Sequence, residues 1–78
     1  MKKQPSMILE VGDVFTWPHY RSGKIEHWKV VKDEGKDSAF FGRYRAIKSN
    51  KYGKTFKDTN GFSTEVVDNP NFTYVGRF

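Results

Sequence analysis

Apolar and polar residues alternate along most of this chain, and the alternation breaks at glycine, asparagine and proline. Val14 and Thr16 would face one way and Phe15 and Trp17 the other, because successive side chains in a strand point to opposite faces. Pro18 cannot donate to a ladder and ends that strand. Val11-Gly12-Asp13 ahead of it reads as an apolar residue followed by a Gly-Asp turn. Residues 19–24 read as a loop turning at Ser22-Gly23. In the next run, 25–33, Trp28 and Val30 share a face with Glu26 and Lys32, and Ile25, His27, Lys29 and Val31 share the other. Trp28 and Val30 are the better core pair, so they are expected to point inward. Glu34-Gly35-Lys36-Asp37 is a polar turn.

Residues 39–49 give the longest predicted strand. One face carries Phe40, Gly42, Tyr44, Ala46 and Lys48, and the other carries Phe41, Arg43, Arg45 and Ile47. Burying two unpaired guanidinium groups would be costly. The first face is therefore assigned to the core, with Gly42 marking a bulge or bend. Asn50-Lys51-Tyr52-Gly53 reads as a hairpin turn, with Lys54 to Asp58 as its return. Thr59-Asn60-Gly61 reads as a second turn, since Asn and Gly both tolerate positive φ. Residues 62–67 admit two readings, a strand or one short helical turn capped by Ser63. Asp68-Asn69-Pro70-Asn71 breaks the chain, and Phe72-Thr73-Tyr74-Val75 forms a last strand.

These elements predict an all-β fold. A small antiparallel barrel or roll of five or six strands occupies residues 7–78, behind a loose polar tail at 1–6. The length of 78 residues allows one domain, and a domain this small buries only part of its surface. With no cysteine there is no disulfide or thiolate zinc site to help. Aromatic residues make up 17% of the chain, so an aromatic-rich core is expected. Met7-Ile8-Leu9 is too short for a signal-peptide core, and no stretch is long enough to span a membrane. The expected setting is soluble and cytoplasmic, without a membrane partner.

The formal net charge of +5 favours a polyanionic partner. Between Asp37 and Asp58 there is no acidic residue. That interval holds Arg43, Arg45, Lys48, Lys51, Lys54 and Lys57, with Tyr52 in the turn among the lysines. Cations there would neutralise phosphates, and Tyr52 would stack on an unpaired base. The first functional expectation is thus a non-catalytic module that contacts nucleic acid, DNA or RNA, through a basic hairpin. The alternative is a protein-binding module that sets its basic face on an acidic protein surface. Trp17, His19, Tyr20 and Arg21 would then be the anchor, since interface hot spots favour Trp, Tyr and Arg.

Catalytic chemistry has less to work with. His19 and His27 are the only histidines. A metal-independent ribonuclease could use a His or Glu26 as base, with Arg45 or Lys48 on the phosphate. Glu26 and His27 are adjacent in a strand and point to opposite faces. No metal-ligand spacing and no phosphate-binding glycine loop is present, so no cofactor, metal or small-molecule substrate is expected.

With the strands placed, the pattern resembles an SH3-like barrel. The residues that carry this are Val11-Gly12-Asp13-Val14-Phe15, Trp28-Lys29-Val30-Val31, the long strand from Phe40 to Ile47, and the short turn at Ser63 before a final strand. An OB-like barrel is the alternative layout. The SH3-like resemblance implies binding of peptides, DNA, RNA or other subunits, without selecting among them. The short, aromatic, cysteine-free style also resembles the small accessory proteins of tailed phages, which implies a modulator or inhibitor of a host protein.

Overall fold

A computed structural model describes residues 7–32 and 43–78, the side chain of Arg43 excepted. It contains five strands, β1 (Asp13–Pro18), β2 (Ile25–Val31), β3 (Arg43–Ser49), β4 (Thr55–Ser63) and β5 (Thr73–Arg77), with a 3-10 turn at Thr64–Asp68 before β5. They form one antiparallel sheet in the order β4-β3-β2-β1-β5. The fold is therefore all-β, compatible with a small barrel or roll. Among the described residues, no helix is long and apolar enough to cross a membrane. The expected tail at 1–6, the turn at 34–37 and the side chains of Phe40 and Phe41 lie outside the described residues.

Strand parity sorts the side chains as the sequence pattern required. Phe15 pairs with Trp28, and Val30 pairs with Ala46. These four join Leu9, Phe62, Val66 and Val67 in a single buried core. Trp17, Tyr44, Phe72 and Met7 pack against it. Phe62 sits at its centre, with ring centroids 5.0 Å from Phe15, 5.5 Å from Trp28 and 6.1 Å from Trp17. Phe72 stacks on Phe15 at 5.2 Å. Edge-to-face and offset ring pairs add about 0.5–1.5 kcal/mol each beyond their burial. Among the described residues, rings thus supply three of the eight buried core residues and three of the four that pack against them.

Two turns come out differently from the sequence expectation. Asn60-Gly61 is not a turn. Asn60 pairs with Ala46 and Gly61 with Arg45 inside β4, and Gly61 is not among the glycines with positive φ. The hairpin has already turned at residues 50–53, and β3 still offers Tyr44 and Arg43 as partners for Phe62 and Ser63. A turn at Asn60 would give up those ladder bonds. The irregularity in this hairpin is a register shift closer to its turn: Ile47 pairs with Thr59, but Ser49 pairs with Thr55. The second difference lies at Asp13, which is not in the turn but opens β1. The turn is Val11-Gly12, with Gly12 at φ +98°.

Asp13 is wholly buried. Its carboxylate accepts from Arg77 Nε at 2.8 Å, the Tyr74 hydroxyl at 3.0 Å and the Glu10 amide at 2.7 Å. Arg77 also reaches Glu10 at 2.8 Å. This network ties the chain before β1 to the end of β5. The 3-10 turn is capped as the second reading of residues 62–67 anticipates: Ser63 Oγ accepts from the Glu65 amide at 3.2 Å.

Candidate nucleic-acid interface

Pairing fixes where the two candidate loops emerge. Pro18 opposes Ile25, His27 opposes Ser49, and Ser49 opposes Thr55. The β1–β2 loop (residues 19–24) and the β3–β4 turn (residues 50–54) therefore leave the sheet at the same end. The sequence reading treated them as rival sites, and the topology brings them together.

Each loop is held by its own polar residue. In the β3–β4 turn, Asn50 Oδ1 accepts from the amides of Tyr52 at 2.9 Å and Lys54 at 3.0 Å. The Gly53 amide donates to Asn50 O at 3.1 Å. Gly53 takes φ +84°, a conformation that favours glycine. In the β1–β2 loop, His19 Nδ1 accepts from the amides of Arg21 at 3.2 Å and Ser22 at 3.3 Å. The His19 amide donates to Lys24 O at 2.8 Å. His19 thus acts as a loop brace through Nδ1.

The two tips present the same pairing of groups. Tyr52 is 70% exposed, with Lys51 Nζ 5.1 Å from its ring centroid. Tyr20 is 82% exposed, with the Arg21 guanidinium 5.2 Å from its centroid and the His19 ring stacked at 4.8 Å. Lys24, Lys51, Lys54 and Lys57 are exposed. No acidic residue lies in 19–24 or in 50–57. Each tip thus combines an exposed aromatic ring with a cation held against it.

The sequence-predicted residues divide accordingly. Lys51, Tyr52 and Lys54 sit in the turn and Lys57 follows on β4. Arg45 is half-buried on the face opposite Ala46. Arg43 pairs with Ser63, and its side chain lies outside the described residues. Lys48 shares the Ala46 face and bonds Glu26 Oε2 at 2.8 Å. That hydrogen bond and the Glu26 charge hold the Lys48 ammonium above the usual lysine range. Trp17 is half-buried against the core, while Tyr20 and Arg21 are exposed. Glu26 is occupied by Lys48, and His27 lies on the opposite strand face.

Behind the β1–β2 loop lies a pocket of about 280 Å³, lined by Trp17, Pro18, His19, Tyr20, Glu26, Trp28, Lys48, Asp58, Thr59 and Asn60. A wider groove of about 760 Å³ adjoins it at Trp17 and Asn60 and runs along Phe62, Glu65, Val66 and Pro70. Sequence reasoning missed Lys24, Asp58 and Asn60. The first carries an ordinary signal, a cation in the loop next to Arg21. The other two become visible only once Asn60 is known to lie within a strand. Among the described residues, no group of three or more His, Asp or Glu could hold a metal ion. Comparison of the chain with family models, curated proteins and solved structures finds no match.

Proposed function

We propose that this domain is a non-catalytic module that binds single-stranded nucleic acid at the loop end of its sheet. The observation that carries the reading is the repeated tip: an exposed tyrosine with a cation over its ring on each of two loops at one end. Arg21, Lys24, Lys51 and Lys54 contact phosphates, and Tyr20 and Tyr52 stack on bases. Stacking on splayed bases needs a strand whose bases are free, which favours single strands over duplex. The strand order and the 3-10 turn before the last strand support an SH3-like arrangement of this barrel.

Fluorescence anisotropy with a labelled 12-nucleotide oligouridylate, and with its oligothymidylate counterpart, tests this. Neutralising about four phosphates predicts a slope of log affinity against log salt of about −3. Lys51→Glu with Lys54→Glu should abolish binding. Absence of binding at low salt, or indifference to both substitutions, would remove the reading.

A protein partner is the second reading, and the groove beside Trp17 favours it. Trp17 lines that groove, and His19 and Tyr20 line the pocket that adjoins it. Stoichiometric recovery of one protein after nuclease treatment, with no nucleic acid, is the result that would replace the first reading by the second.

A further inference from the structure

The pocket behind the β1–β2 loop has a composition unlike that of the basic tips. Its walls are aromatic: Trp17, Tyr20 and Trp28. Its polar side chains are His19, Glu26, Lys48, Asp58, Thr59 and Asn60, and of the two carboxylates Glu26 is already bonded to Lys48 at 2.8 Å. At about 280 Å³ it lies just below the usual range of small-molecule pockets, about 300–1,000 Å³. That is room for one flat ring system rather than a large ligand. Tyr20 belongs both to this wall and to the exposed tip, so the pocket opens beside the surface assigned to the strand.

The donors and acceptors select among the bases. A carboxylate only accepts, an ammonium only donates, and a primary amide does both. Lys48 has one bond to Glu26, which leaves protons of its ammonium for another acceptor. Guanine presents two adjacent donors, N1–H and the N2 amine, next to the acceptor O6. A carboxylate can receive both donors while a cation or amide donates to O6. Adenine and cytosine each place a ring-nitrogen acceptor beside their single amine, and that nitrogen would face the carboxylate lone pairs. Uracil and thymine offer one N–H between two carbonyls.

We propose that this pocket takes a single unstacked guanine from the bound strand, with Trp17, Tyr20 and Trp28 against the ring, Asp58 accepting from N1–H and N2–H, and Lys48 and Asn60 donating to O6. The proposal rests on the nucleic-acid reading above and adds base selectivity to it. Reading a splayed base by its Watson–Crick edge between aromatic side chains is a general solution for single strands. The phosphates stay on the lysines of the tips, so Asp58 meets the base and not the backbone.

The test compares labelled 12-mers of uridine, and of thymidine, carrying one central guanine, inosine, adenine or cytosine. Guanine should bind about tenfold more tightly than adenine or cytosine, the discrimination expected of one good bidentate pair. Inosine keeps N1–H and O6 but lacks the N2 amine, and should fall between guanine and adenine. Asp58→Ala should erase the guanine preference while leaving affinity for the plain oligomers the same or slightly higher. Guanosine monophosphate, titrated alone, should quench tryptophan emission in the native protein and not in Asp58→Ala. Equal affinity for all four central bases would overturn the pocket assignment and leave the nucleic-acid reading standing. Loss of all oligonucleotide binding at low salt would overturn both. A guanine preference that survives Asp58→Ala would also overturn the assignment.

Discussion

Gly53 lies directly against Phe78. A Cβ built at position 53 would sit 2.6 Å from Phe78 Cβ and 3.0 Å from its Cγ. The Phe78 amide in turn donates to Gly12 O at 2.9 Å. The turn that carries Lys51 and Tyr52 is thus braced from outside by a residue 25 positions further along the chain, next to the end of β5. A turn held this way keeps Tyr52 in one place before any ligand arrives, which lowers the ordering cost of binding.

Gly53→Ala should therefore destabilise the domain twice over, through φ +84° and through the clash with Phe78. A cost of about 2–3 kcal/mol is expected from strain at positive φ plus overpacking. Gly23 has φ +72° but nothing within 4 Å of an added Cβ. Gly23→Ala should cost only the backbone part, about 1 kcal/mol. Urea unfolding of the two variants checks the difference. Phe78→Gly, which removes the Cβ that the new methyl would meet at 2.6 Å, should recover part of the larger loss when combined with Gly53→Ala.

The buried carboxylate of Asp13 has three neighbours to lose. Asp13→Ala would leave the Glu10 amide and the Tyr74 hydroxyl without their acceptor and Arg77 with only Glu10. Hydrogen bonds to charged groups contribute about 1.5–3 kcal/mol, and a buried partner left unsatisfied costs more. A loss of about 2–4 kcal/mol is expected in the unfolding free energy. Glu10→Ala, whose bond to Arg77 is exposed, should cost less than about 1 kcal/mol.

The same carboxylate sets the acid limb of stability. Burial alone would raise its pKa. The Arg77 bond, the Glu10 amide, the Tyr74 hydroxyl and the Arg77 charge outweigh burial and hold Asp13 below the ordinary aspartate value of 3.8. In the window between the two values the unfolded chain binds more protons than the folded one, so stability rises with pH. The contribution is complete above the unfolded value and is lost as pH falls through the folded one. Asp13→Asn should flatten the stability profile below about pH 5. Tyr74 behaves oppositely: the Asp13 bond, then burial and the carboxylate charge, raise it above 10.0. Its contribution is present below the ordinary tyrosine value and fades as pH rises through the folded one. Urea midpoints measured across acid and alkaline pH, with Tyr74→Phe as the alkaline control, check both limbs.

Much of this architecture was legible in the alternation of side chains. Trp28, Val30, Tyr44 and Ala46 turn inward because period two leaves them one shared face, and Asn50 to Gly53 turns because asparagine and glycine supply what the turn needs. Asn60-Gly61 misled for the same reason: local turn chemistry favoured a reversal, but four ladder pairs with β3 outweigh it. Asp13 was unreadable because its partners, Tyr74 and Arg77, lie more than sixty positions away. The candidate site was legible as residues but not as an arrangement. Tyr20 and Tyr52 stand on separate hairpins, and only the registers Pro18–Ile25 and His27–Ser49 place them at one end.

That shared end yields the most direct prediction for binding. If Tyr20 and Tyr52 each stack on one base, Tyr20→Ala and Tyr52→Ala should each cost about 1–3 kcal/mol of oligonucleotide affinity. Neither ring belongs to the core, so both variants should fold with unchanged urea midpoints. Phe at either position keeps the aromatic face and should retain most of the affinity. The salt slope should stay near the native value in all four variants, since each keeps its cations, whereas Lys51→Ala should reduce it by about one phosphate equivalent. Anisotropy titrations over a series of salt concentrations separate the two contributions. An oligonucleotide long enough to reach both tips should feel the two tyrosine losses additively, and a trinucleotide should feel only one of them. If both substitutions leave affinity unchanged while Lys51→Ala still lowers the slope, the strand is held by charge alone and the tyrosines are bystanders.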